Sequence, residues 1–134
     1  NMRALFTFLF NSLSTAHASF KSRTYITPLE NQLKQLHLEI SNSLEQKHSI
    51  ARCAKQLNIS ESYFQLIYKK LFGISFQQDL ILMRVTRARF NLSTSNLSLS
   101  QIAEFCGYNN EVHFYRQFKK LTGVTPAQYR KHPF

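Results

Sequence analysis

The chain has no tryptophan, and its 134 residues include only three glycines, three prolines and two cysteines. So little glycine and proline argues against long irregular loops. The two cysteines, Cys53 and Cys106, sit inside apolar helical patterns, and no Cys-x-x-Cys occurs. That pattern argues against a metal site or redox pair and leaves reduced core thiols as the expectation. The five histidines (His17, His37, His48, His113, His132) lack the i, i+4 spacing of a helical metal site. There is no Ser/His/Asp set, phosphate-cradling glycine loop or pair of acids at a useful spacing, so neither an enzyme nor a bound cofactor is expected. Acidic residues are scarce too. Seven Asp and Glu face 17 Lys and Arg, which gives a net charge of +10 and a pI near 10.0. Such an excess attracts polyanions, nucleic acid first and anionic membrane second. The longest apolar stretch, Ala4-Leu5-Phe6-Thr7-Phe8-Leu9-Phe10, is far too short to span a bilayer.

What is present is a repeat. Lys69-Lys70-Leu71-Phe72-Gly73-Ile74-Ser75-Phe76 returns 50 residues later as Lys119-Lys120-Leu121-Thr122-Gly123-Val124-Thr125-Pro126. In each copy a helix ends in lysines, glycine stops it, and a hydroxyl caps the next helix. The same punctuation twice predicts one supersecondary unit built twice.

Ahead of the first copy, residues 2–13 read as a helix whose phenylalanines need a covering surface. The run also resembles a signal-peptide core, with Ala16-His17-Ala18 after it, and Asn1 ahead of Met2 suggests a residue added for expression. Residues 14–27 read as a linker. Thr27, with Pro28 following, caps a helix carrying Leu29, Leu33, Leu36, Ile40 and Leu44 on one face and running to about residues 43–46. Ser49 caps a short helix with Ile50, Cys53, Ala54 and Leu57 inward. Asn58-Ile59 makes a turn, and Ser60 caps a helix from residue 61 to 72. Two short helices about a tight turn read as helix-turn-helix. Phe64, Ile67, Tyr68 and Leu71 share the core face of the second helix. The opposite face holds Ser62, Gln65, Leu66 and Lys69. A solvated face is the plain reading, but Leu66 there suggests a contact surface. Gln pairs bidentately with adenine, and Leu packs on a thymine methyl. Lys69 and Lys70 suit phosphates and the helix dipole alike.

Ser75-x-x-Gln78 forms a capping-box pattern that starts a helix running to about Leu92. Phe76, Leu80 and Met83 share one side of it; Ile81, Val85, Ala88 and Leu92 share another, which suits a helix packed on both units. Arg84, Arg87 and Arg89 concentrate charge on its later part. About 18 residues make a helix of roughly 27 Å, compatible with two major-groove entries about 34 Å apart. In the second copy, Ser98 and Gln101 form a capping box, Ile102, Ala103 and Cys106 point inward, and Gly107-Tyr108 makes the turn. One extra residue lies between Ala103 and Phe114. Asn110 caps the helix from residue 111 to 122, with Phe114, Phe118 and Leu121 as its core stripe. Its outer face carries Glu111, Val112, Tyr115, Arg116 and Lys119. Arg116 is the best candidate for guanine O6/N7. Glu111 either accepts from cytosine N4 or favours the helix dipole, and His113 lies toward the phosphate flank. Thr125-Pro126-Ala127-Gln128 opens a last short helix that packs Tyr129 back and ends in Arg130-Lys131.

Residues 49–131 resemble the AraC/XylS family of bacterial transcription regulators. The likeness is carried by Ala54, Ser60-Glu61-Ser62-Tyr63-Phe64, Tyr68-Lys69-Lys70-x-Phe72-Gly73-Ile74-Ser75-Phe76, Leu97-Ser98-Leu99-Ser100-Gln101-Ile102-Ala103, Cys106-Gly107-Tyr108, and Phe114-x-Arg116-x-Phe118-Lys119-Lys120-x-Thr122-Gly123-Val124-Thr125-Pro126-x-x-Tyr129-Arg130. The resemblance implies an all-α module of seven helices, two three-helix helix-turn-helix subdomains joined by a long linker helix, preceded here by the N-terminal helix. Domains are expected at 28–74, 75–93 (linker helix) and 94–134, with 1–27 as a remnant of a larger upstream domain or a dimerisation element. The implied function is sequence-specific binding of double-stranded promoter DNA, two recognition helices entering successive major grooves.

Carried over residue by residue, Ser62, Gln65, Leu66, Glu111, Val112, Tyr115 and Arg116 read bases, and Ser60, Lys69, Lys70, Asn110, His113, Lys119 and Lys120 meet phosphate. Two departures stand out: Leu66 where the family often has arginine, and Asn91 where an apolar residue is usual, which predicts a frayed linker-helix end. RNA polymerase contact, homodimerisation through the N-terminal helix and a cytoplasmic, nucleoid-associated location complete the expectation. The alternative is a protein-interaction or dimerisation module.

Overall fold

A computed structural model describes residues 27–133; the expected N-terminal helix and most of the linker after it lie outside the described residues. Each helix begins where a short polar side chain closes on a backbone N–H. Thr27 Oγ1 accepts from the N–H of Glu30, and the Glu30 carboxylate accepts from the N–H of Thr27, at 3.1 Å each. That reciprocal box opens α1, Pro28–Ser41. From residue 33 onward the chain forms one compact unit. In it, Ser49, Ser60, Ser75, Ser98, Asn110 and Thr125 cap α2 (Ile50–Gln56), α3 (Glu61–Phe72), α4 (Phe76–Thr94), α5 (Leu99–Phe105), α6 (Glu111–Thr122) and α7 (Pro126–Lys131). The architecture is all-α, with seven helices and no strand among the described residues. Each such cap contributes about 1 kcal/mol.

Both repeated glycines are left-handed caps, Gly73 at φ 78° and Gly123 at φ 85°. Each donates its N–H to the carbonyl four residues back, Lys69 and Lys119, at 2.8 Å. The inserted residue can be placed. Asn58 and Gly107 occupy the same left-handed turn position. Ile59 and Tyr108 follow it in register, each N–H donating to the alanine five residues back. The extra residue is therefore Asn109, between the turn and the cap Asn110.

The core lies in two clusters on either side of α4. Leu33, Leu36, Ile40, Leu44, Cys53, Ala54, Phe64 and Tyr68 meet Phe76 and Leu80, with Met83 packed against them. Ile102, Ala103, Cys106, Tyr108, Phe114, Phe118 and Tyr129 meet Val85, Ala88 and Leu92, with Ile81 alongside. Both sides of α4 are as its sequence divides them. Aromatic pairs fill each cluster, Tyr68 edge-on to Phe76 at 5.4 Å and Phe118 edge-on to Tyr129 at 5.7 Å. Burial pushes both thiols up to about 11, so Cys53 and Cys106 are protonated, inert core groups.

Several expectations need correction. α1 ends at Ser41, short of residues 43–46, where Ser41 and Ser43 hydroxyls turn back onto the Leu38 and Glu39 carbonyls. The Ser75 box is half formed: Ser75 accepts from the N–H of Gln78, but only at Ser98 and Thr125 in this unit does the cap's own N–H donate back, to Gln101 and Gln128. Asn91 does not fray α4, which runs to Thr94. There the Ser93, Thr94 and Ser95 hydroxyls donate to carbonyls of the preceding turn. Leu121 is 44% exposed rather than core.

Candidate nucleic-acid interface

Burying Phe64 and Tyr68 fixes which way α3 faces. Residues 62, 65, 66 and 69 then lie on the opposite side, and Ser62, Gln65, Leu66 and Lys69 are all exposed. Burying Phe114 and Phe118 does the same for α6, exposing Glu111, Val112, Tyr115, Arg116 and Lys119. Ser60, Lys70, Asn110, His113 and Lys120 are exposed as well. Three of these outward residues are large and apolar or aromatic: Leu66 is 63% exposed, Val112 59% and Tyr115 44%.

Ser60 and Asn110 also act as caps. Ser60 Oγ accepts from the N–H of Tyr63 at 3.1 Å and Asn110 Oδ1 from the N–H of His113 at 2.8 Å. Each retains donors, the hydroxyl proton and the amide NH2, for an anion. The His113 ring stands edge-on to Tyr108 at 5.2 Å, and Tyr108 donates to Gln117 Oε1 at 2.6 Å. That bond explains the polar Gln117 on an otherwise apolar stripe.

The arginines of α4 serve a different purpose from the one their charge suggests. Arg84 donates to the carbonyls of Leu44 (3.3 Å) and Gln46 (3.1 Å), and Arg87 to that of Ser41 (2.9 Å). Arg89 lies over the Tyr129 ring at 5.6 Å. Arg130 reaches the carbonyls of Leu92 and Ser95. Arg84, Arg87 and Arg130 thus satisfy carbonyls at or just beyond the ends of α1 and α4 and Arg89 covers Tyr129, so the outward charge next to the recognition faces comes chiefly from lysines and Arg116.

Two further features lay beyond the sequence pattern. Asp79 is buried on α4, accepting from the Tyr68 hydroxyl at 2.6 Å, with His37 Nε2 at 3.1 Å from the same oxygen. Burial, and then the Asp79 charge, push the Tyr68 phenol far above its ordinary value, so it remains a donor. Ile50 and Gln77 border an open depression beside Gln65 and Leu66. Among the described residues there is no group of His, Cys, Asp and Glu able to hold a metal, and no helix long and apolar enough to cross a membrane.

A family model described as a helix-turn-helix domain matches residues 53–132. An HTH-type transcriptional regulator of Bacillus subtilis is 34% identical over 92 residues, 69% of this chain and 12% of that protein. The arabinose operon regulatory protein of Escherichia coli is 27% identical over 104 residues, 77% of this chain and 36% of that protein. The chain thus spans far less than two thirds of these relatives. Among solved structures, the DNA-binding domain of the global transcriptional factor AdpA in complex with a target DNA has a TM-score of 0.71 at 27% identity, covering 74% of this chain and 89% of that one.

Proposed function

The chain belongs to the AraC/XylS family of helix-turn-helix transcription regulators, and on that premise we propose that it binds promoter DNA sequence-specifically, α3 and α6 entering successive major grooves. The observation that carries the proposal is the pair of equivalent helices, each buried by two aromatics and each presenting polar, apolar and cationic side chains outward. α4, at 19 residues, is about 28 Å long, enough to hold two readers near one turn of B-DNA apart. Ser62, Gln65 and Leu66 face bases from α3; Glu111, Val112, Tyr115 and Arg116 face them from α6. Ser60, Lys69, Lys70, Asn110, His113, Lys119 and Lys120 meet phosphates. The same proposal divides the module at 28–74, 75–93 and 94–134, needs no cofactor or catalytic group, and places the protein in the cytoplasm on the nucleoid.

Contact with RNA polymerase and pairing through residues 1–27 extend the proposal. An interaction module without DNA is the second reading, supported by the exposed Phe90 (63%) and Phe105 (52%).

Two substitutions separate reading from anchoring. Arg116→Ala is expected to cost about 1–3 kcal/mol on the preferred duplex and to relax preference at one base pair. Lys69→Ala is expected to weaken all duplexes alike and lower the salt slope by about 1. Competition binding with single-base-pair variants measures both. An Arg116→Ala protein with unchanged base preference would remove Arg116 as a reader.

A further inference from the structure

The outer face of α3 is not flat. Leu66 stands beside Ile50 from the start of α2 and Phe76 from the start of α4, and together they make an open, mainly apolar depression. Two amides, Gln65 and Gln77, sit in its wall, and Lys69 and Lys70 border it. No arginine lines it; Arg84 and Arg87, further along α4, are engaged with carbonyls at and just beyond the α1 end.

The chemistry of the major groove narrows what such a surface can take. Guanine offers two acceptors there, N7 and O6, cytosine a donor, and adenine one of each; only thymine adds an apolar group, its 5-methyl. Over the depression's apolar part, between Leu66 and Ile50, guanine acceptors would lose water with no donor to replace it, which disfavours G·C there. The same part gains by taking a methyl group out of water, and an amide alongside can pair with the adenine opposite. The bordering lysines match the phosphates on either side of the groove.

We infer that the first half of the chain reads A·T pairs through the thymine 5-methyl, with Leu66 and Ile50 as the methyl contact. Gln77, from α4 rather than the recognition helix, serves as a second amide beside Gln65. The inference rests on the DNA-binding proposal above. It makes the bound site chemically lopsided, a thymine methyl read in one half and, through Arg116, guanine in the other.

Duplexes bound by the full chain are selected from random DNA, and each thymine of the preferred sequence is replaced singly by deoxyuridine, which lacks only the methyl. One or two replacements, confined to one half of the site, are expected to weaken binding about four-fold each. Leu66→Ala, at an exposed position and with an unchanged melting midpoint, is expected to bind the thymine duplex correspondingly less well and to lose the distinction between thymine and deoxyuridine. Equal binding of all deoxyuridine duplexes by the unmutated chain, or full discrimination retained by Leu66→Ala, would overturn the inference. If no duplex can be selected at all, the DNA-binding proposal itself fails and takes the inference with it.

Discussion

Gly107→Ala is expected to be the most damaging single methyl in the chain, lowering stability by about 3–5 kcal/mol. Gly107 has φ 93°, where any side chain strains the backbone. Its Cβ would also collide with the Leu44 carbonyl oxygen and lie 2.9 Å from Arg84 Nε and Nη2. Neither neighbour can retreat easily. Leu44 is 2% exposed in the first core cluster, and Arg84 holds the Leu44 and Gln46 carbonyls. The turn of the second helix-turn-helix therefore abuts the segment between α1 and α2, and the missing side chain is what permits the contact. Gly73→Ala is the matched control. Its φ is 78°, yet nothing lies within 4 Å of the added Cβ, so only the backbone cost of about 1–2 kcal/mol applies. Urea denaturation of the two variants measures the difference. Equal losses would mean that the Leu44 contact does not constrain the joint.

Asp79→Ala is expected to cost about 2–4 kcal/mol, a fall of roughly 10–20 °C in melting temperature. The substitution leaves the fully buried Tyr68 hydroxyl without its acceptor and removes the partner of His37. It also deletes an acid from the first turn of α4, where the helix dipole favours one. Three elements lose a common anchor, because His37 is on α1, Tyr68 on α3 and Asp79 on α4. Asp79→Asn keeps the volume and an acceptor for Tyr68, so about 1–2 kcal/mol is expected there. A thermal melt in which Asp79→Ala is no less stable than Asp79→Asn would show that the hydroxyl needs no acceptor at that position.

Neither of these constraints was legible in the sequence, whereas the caps were. A cap joins a side chain to a backbone group three residues away, so Ser60-x-x-Tyr63 or Ser98-x-x-Gln101 can be read locally. Asp79 meets His37 across 42 residues and Arg84 meets Leu44 across 40; no periodicity encodes such pairings. Leu121 fails for a related reason. Helical spacing puts it in the core stripe of α6, as it puts Leu71 in that of α3. Leu71 packs against a cluster to which α1 contributes Leu33, Leu36 and Ile40; in the second cluster α4 holds the corresponding place with Val85, Ala88 and Leu92, and Leu121 is not packed against it. The outward faces of α3 and α6 were legible because burial of Phe64, Tyr68, Phe114 and Phe118 dictates them. Ile50 and Gln77 were not, since they reach the depression from neighbouring helices.

Sequence-specific binding to duplex DNA is tested most directly by one titration: fluorescence anisotropy of the full chain on a selected duplex and on its scrambled counterpart, over about 50–200 mM salt. With roughly six phosphates neutralised, the log–log salt slope is expected near −5. The selected duplex is expected to bind at least about a thousand-fold tighter than the scrambled one at physiological salt. A slope near zero, or equal affinity for both duplexes, would contradict the account.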